Sequence, residues 1–113
     1  MSLELGVLTP ENAKSVAQAR AIWMDEAGGM PDQSGQLVAY AKEVFDAYAD
    51  DEWPFAGGPD VEGDCCVHMT IAAECWVAEA PKLIEHAHRR GLVVYEPQED
   101  SLYRPGEPYS VEG

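Results

Sequence analysis

A chain of 113 residues has single-domain length, enough to bury a core without covalent staples. Its 46% hydrophobic and 25% charged residues are ordinary globular values and exclude a wholly disordered chain. Seven Lys and Arg stand against 21 Asp and Glu, a formal net charge of −14; that surface repels nucleic-acid phosphate and anionic lipid, and suits either solubility or a basic protein partner.

The first element is a strand in LELGVL, with Leu3, Leu5 and Val7 on one side and Glu4, Gly6 and Leu8 on the other. Thr9 and Pro10 predict a helix start, Thr9 as N-cap and Pro10 at the first position, where its missing N–H costs nothing. That helix is expected to run to about Ala27 and stop at Gly28-Gly29. Asp32 or Ser34 then caps a second helix over 35–48, whose apolar stripe is Leu37, Tyr40, Ala41, Val44, Phe45 and Tyr48.

ADDEWPFAGGPDVEGD, dense in Gly, Pro and acids, reads as a long loop, functional or mobile. CCVHMTIA alternates, with Val67, Met69 and Ile71 beside Cys65 on one face and Cys66, His68 and Thr70 on the other; it is expected to be a central strand. A helix pattern returns from about Trp76, with Pro81 required either in the first turn or at a kink. Gly91 is its stop, LVVY a buried strand, Pro97 the end of that strand, and SLYR a short strand pairing back.

This order predicts one α+β domain over residues 1–105 and a loose tail over 106–113. The expected architecture is a two-layer sandwich, a ferredoxin-like variant with a mixed sheet and helices on one face. The other face is left partly solvated or covered by a partner chain. The N-terminus carries no basic region or long apolar core of a secretory signal, and no stretch approaches the roughly 20 apolar residues of a membrane helix. A cytoplasmic protein is expected, and three cysteines fit a reducing compartment because an odd number cannot all pair within a chain.

Residues that could carry chemistry have simpler structural explanations. Cys65 and Cys66 point to opposite faces of a strand, so Cys66 with His68 is the one same-face pair, and two ligands do not make a zinc site. His86 and His88 lie roughly 200° apart around a helix. Cys66 with His68, or Cys75 with His86, are the candidate nucleophile–base pairs. No phosphate loop, nucleotide fingerprint or HExxH motif is present, and no metal or cofactor is implied. DDEWPF is the outstanding non-core feature: Trp53 and Phe55 ringed by Asp50, Asp51 and Glu52 form an anchor with steering charges for a basic partner. The alternative is that the two aromatics fold back as a lid on the helix layer.

GLVVYEPQ, followed by a polar turn and LYRP, resembles the C-terminal half of a family of small, mostly uncharacterised bacterial proteins. These carry a Gly-Leu-Val-x-Tyr/Phe-Asp-Pro-Gln element there, and GDCCVHMTI resembles their preceding strand. The resemblance spans residues 64–105, with Glu96 standing where the family has Asp. Some relatives resemble immunity proteins encoded beside secreted polymorphic toxins, and the family brings no catalytic set. The resulting expectation is a non-enzymatic, acidic protein-binding domain that masks a basic toxin by charge complementarity. Its surface is expected at Asp50, Asp51, Glu52, Trp53 and Phe55, with Glu96 and Asp100 as neighbours. A small enzyme or ligand-binding domain using Cys66 and His68, or a homodimer sealing the open sheet face, are the competing classes.

Overall fold

The computed structural model describes residues 2–26, 28–48, 55–62 and 65–106. Among these residues, five strands and three α-helices follow in the order β1 (Ser2–Leu8), α1 (Val16–Trp23), α2 (Gln36–Tyr48), β2 (Phe55–Glu62), β3 (Cys66–Ala72), α3 (Ala73–Arg89), β4 (Val93–Glu96) and β5 (Ser101–Tyr103), with a 3-10 turn at Pro10–Asn12. Residues 107–113 of the expected tail lie outside the described residues.

The sheet runs β2-β3-β1-β4-β5, which is the ferredoxin-like order of four strands with β5 added at one edge. Every neighbouring pair is antiparallel, so the expected mixed sheet is corrected. The reason lies in the crossovers. The helical connection from β1 to β2 steps over β3, and α3 carries the chain from β3 over β1 to β4, so parallel strands never become neighbours.

Alternation along the strands divides the core. Leu5, Val7, Val67, Met69, Ile71 and Val94 face α2 and α3, meeting Leu37, Tyr40 and Val44 from one helix and Trp76, Ala80, Leu83 and Ile84 from the other. Tyr40 is fully buried and its hydroxyl donates to the Leu83 carbonyl at 2.9 Å, which ties the two helices together. Phe45, expected in the stripe, instead turns outward and is 56% exposed. Leu8, Cys66, Val93 and Tyr95 face the opposite way and pack with Ala19 and Ile22 of α1. The α+β sandwich therefore has its two long helices on one face, while α1 departs from the expected single helical side. Those outward apolar residues of β1, β3 and β4 need cover, and α1 supplies it.

The expected helix from Pro10 to Ala27 is broken. Ala13 leaves helical geometry, and the chain restarts at Val16 with Ser15 Oγ accepting from Gln18 N at 3.1 Å. Local side chains take the backbone groups that a continuous helix would use. Gln18 accepts from Lys14 N and donates to Glu11 O, while buried Asn12 bonds both N–H and C=O of Met30.

β2 lies in the stretch that reads as loop. Its register shifts on both sides of Gly57, and Gly58 has φ +79°. A Cβ on Gly58 would stand 2.3 Å from the His68 carbonyl oxygen, so the backbone passes where only glycine fits. α3 begins directly after β3 rather than at Trp76, and Pro81 sits in its interior. The carbonyl that Pro81 leaves without its helical donor is that of Val77, whose residue is 57% exposed, so water can satisfy it. At the other end Gly91 N bonds His88 O and Leu92 N bonds Ala87 O, a Schellman closure with Gly91 at φ +72°.

Candidate functional site

On the α1 side of the sheet, one cross-strand row reads Asp60, His68, Gly6, Tyr95, Leu102. Gly6 makes a notch in it, and Trp23 from the end of α1 fills the notch. The Trp23 ring stacks on His68 with centroids 4.1 Å apart and planes 10° from parallel, and meets Tyr95 tilted by 58° at 6.2 Å. Tyr95 donates its hydroxyl to Asp100 Oδ1 at 2.5 Å, and Arg20 of α1 pairs with the other Asp100 oxygen. Burial, then the hydrogen bond and charge of Asp100, push the Tyr95 phenol up to about 12 against the opposing pull of Arg20.

α1 covers only the half of this face nearer β4. The next row, Gly57, Thr70, Glu4, stays open: Gly57 and Glu4 are exposed and Thr70 half-buried, with exposed Asp60 beside them in the Trp23 row. Glu4 is held from behind. Its N–H donates to Gln98 Oε1 at 2.5 Å and its carbonyl accepts from Gln98 Nε2 at 2.9 Å. A side-chain amide thus bonds β1 just beyond Pro97, which has no N–H for a strand ladder.

Of the residues expected to bind a partner, Asp50, Asp51, Glu52 and Trp53 lie outside the described residues. Two others are corrected. Phe55 is 7% exposed and meets Tyr48 edge-on at 5.4 Å, so this aromatic folds onto the helix layer. Glu96 is 4% exposed because its carboxylate closes the β4–β5 turn, accepting from Glu99 N at 2.7 Å and from Gln98 Nε2. Asp100 is half-buried and committed to Tyr95 and Arg20. Cys66 and His68 do share a face, but Cys66 is 1% exposed beneath α1 and His68 is stacked on Trp23. Cys75 and His86 stand eleven residues apart on α3, about 16 Å along its axis.

His86 and His88 point to different partners, as their spacing requires. His86 Nδ1 lies 3.5 Å from Glu43 Oε2, and His88 Nε2 is 3.0 Å from the Tyr103 carbonyl oxygen. Among the described residues no group of three His, Cys, Asp or Glu is arranged to hold a metal ion, and no helix is long and apolar enough to cross a membrane.

A cleft of about 260 Å³ opens between Thr9, Pro31, Asp32, Gln36, Arg90 and Leu92. Asp32 and Arg90, two of its charged residues, are already engaged. Burial works against ionising Asp32, but N–H groups of Leu37, Ser34 and Gln36 and the Ser34 hydroxyl outweigh it and hold the carboxyl below its ordinary value. Arg90 donates to Glu43 Oε2 at 3.3 Å and Gln36 Oε1 at 3.0 Å. The arrangement caps α2 and pins the end of α3 to it.

Sequence reasoning missed the Gly6–Trp23 row and the open shelf beside it. The signal available was a glycine inside an otherwise apolar strand, which marks a close approach by another group. Compared with known proteins, the chain matches no family model, no curated protein and no solved structure.

Proposed function

We propose that the chain is a non-enzymatic, acidic binding domain that engages a basic protein, in the manner of an immunity protein masking a toxin. The observation that carries this reading is the disposition of charge. Of seven Lys and Arg, Arg20, Lys82, Arg89 and Arg90 are paired with the chain's own Asp100, Glu79, Glu85 and Glu43. The excess of acid is left to solvent at residues such as Glu11, Asp25, Glu26, Asp46 and Glu74, all exposed. A surface of this kind accelerates encounter with a positive partner and rejects negative ones.

The reading is tested with the basic proteins encoded beside its own gene, each purified and mixed with the chain. A one-to-one complex is expected, with an association rate that falls steeply between low and high salt. If none of those proteins binds at low salt, or if binding is indifferent to salt, the proposal fails. The Cys66–His68 enzyme reading is less favoured because of the burial of the thiol beneath α1.

A further inference from the structure

The expected acidic loop is not the only place a basic partner could dock, and the sheet offers a better-defined one. We infer that the partner's cationic side chains seat on the open half of the α1-side sheet face, the shelf formed by Gly57 and Asp60 of β2, Thr70 of β3 and Glu4 of β1. The inference rests on the acidic-binder reading and names the surface for it.

The distribution of cations singles out this shelf. All seven Lys and Arg lie within the described residues, and none belongs to β1, β2 or β3. Lys42, Lys82 and Arg89 stand on α2 and α3, across the sheet. Arg90 follows α3 and is held by Glu43. Arg20 shares the α1 side but is drawn toward the β4–β5 turn by Asp100; Lys14 is exposed just before α1 rather than on a strand, and Arg104 reaches the Lys14 carbonyl there. A positive partner approaching Glu4 and Asp60 therefore meets carboxylates with no Lys or Arg on those strands, and His68, across from Asp60, is stacked on Trp23.

Shape supports the same occupant. Gly57 has no side chain and Thr70 a short one, so the floor between the two acids is low, and the Trp23–His68 stack rises at its border. Strand spacing and rise put Glu4 and Asp60, two strands and two residues apart, about 12 Å from one another. That separation accommodates two cationic side chains, their methylenes lying across Gly57 and Thr70 and each head meeting one carboxylate. The floor is a hydrogen-bonded antiparallel sheet, so little ordering is needed on this side of the interface.

An arginine-rich peptide serves as the probe, titrated into isotopically labelled protein at low salt. The largest amide shifts are expected at Glu4, Gly57, Asp60 and Thr70, with the Trp23 indole N–H moving as well. The double variant Glu4→Lys/Asp60→Lys should weaken binding about tenfold, against about twofold for Asp46→Lys/Glu74→Lys, which changes net charge equally on the helical side. All four positions are exposed, and circular dichroism checks that both variants fold. Equal losses in the two variants, or shifts gathered on α2 and α3, overturn the shelf while leaving the acidic-binder reading standing. Absence of any saturable binding at low salt overturns both.

Discussion

Trp23 stands over Gly6 so closely that a Cβ on Gly6 would lie 2.6 Å from the indole Cε3 and 2.9 Å from Cζ3. The relationship decides where α1 can sit. A strand residue with any side chain would close the notch between His68 and Tyr95, and the eight-residue α1 would lose its largest anchor on the sheet. Because α1 is fixed there, the rows beyond it stay open, and the shelf at Glu4 and Asp60 follows from the same glycine.

Gly6→Ala is accordingly expected to destabilise the domain by about 1–3 kcal/mol, the usual cost of overpacking a filled site. Urea unfolding measures the loss, and near-ultraviolet circular dichroism should report a changed Trp23 environment. An unaltered midpoint together with an unaltered aromatic spectrum would contradict the insertion of Trp23 into the sheet.

Alkaline pH should expose the strain of ionising buried phenols. Tyr95 is raised from 10.0 to about 12, and Tyr40 is raised further by complete burial, with smaller contributions from Tyr48 and Glu43. In the unfolded chain both lose their protons near the ordinary value, so the stability they contribute is fully present below pH about 10 and is lost as pH rises through the folded values. Melting temperature should fall across that window, less steeply in Tyr95→Phe than in the parent. Tyrosinate absorbance in which all five tyrosines titrate together at the ordinary midpoint would refute the assignment.

Much of this fold is legible in the residues, and the exceptions have physical causes. β1, β3, β4, β5 and the face of α2 announce themselves because alternation and helical spacing follow directly from which side is buried. β2 is hidden because Gly57, Gly58 and Pro59 weaken every local strand signal, and an edge strand tolerates them. The break before α1 is marked locally by Ser15 and Gln18, but the contact of Asn12 with Met30, eighteen residues away, is one that no local pattern contains. Glu96 looked like surface because it is an acid beside a proline, and only the turn's own donors explain its burial. The candidate shelf was illegible for a related reason. Its residues come from three strands, and the absence of cations there exists only once those strands are adjacent.

Asp32 offers a test at the acid end. Its carboxylate accepts from Leu37 N at 2.8 Å and Ser34 N at 3.0 Å, capping α2, and its pKa is lowered from 3.8. Stability from this group is present above pH about 4 and is lost as pH falls through the lowered folded value. Asp32→Ala should cost about 1 kcal/mol at neutral pH. Asp32→Asn keeps an acceptor, so a smaller loss is expected, with that group's acid dependence gone. Equal stability of parent and Asp32→Ala at neutral pH would show that the cap contributes nothing.

Gln98 links the most recognisable stretch of the sequence to the proposed surface. Glu96 accepts from its Nε2, and its carboxamide bonds both backbone groups of Glu4. The EPQ segment therefore ends β4 with a proline and extends the contact to β1 with a side chain. Gln98→Ala should leave the Glu4 amide open to solvent, raising its hydrogen-exchange rate, and should reduce stability by about 1 kcal/mol, as for modest exposed hydrogen bonds. Gln98→Glu should be worse, because it removes the donor to the Glu4 carbonyl and sets a carboxylate beside that of Glu96. If the shelf is the docking surface, Gln98→Ala should also weaken the arginine-rich peptide, since Glu4 loses its support. Protection of the Glu4 amide unchanged in Gln98→Ala would show that the side chain does not hold β1, and the coupling between this motif and the shelf would be lost with it.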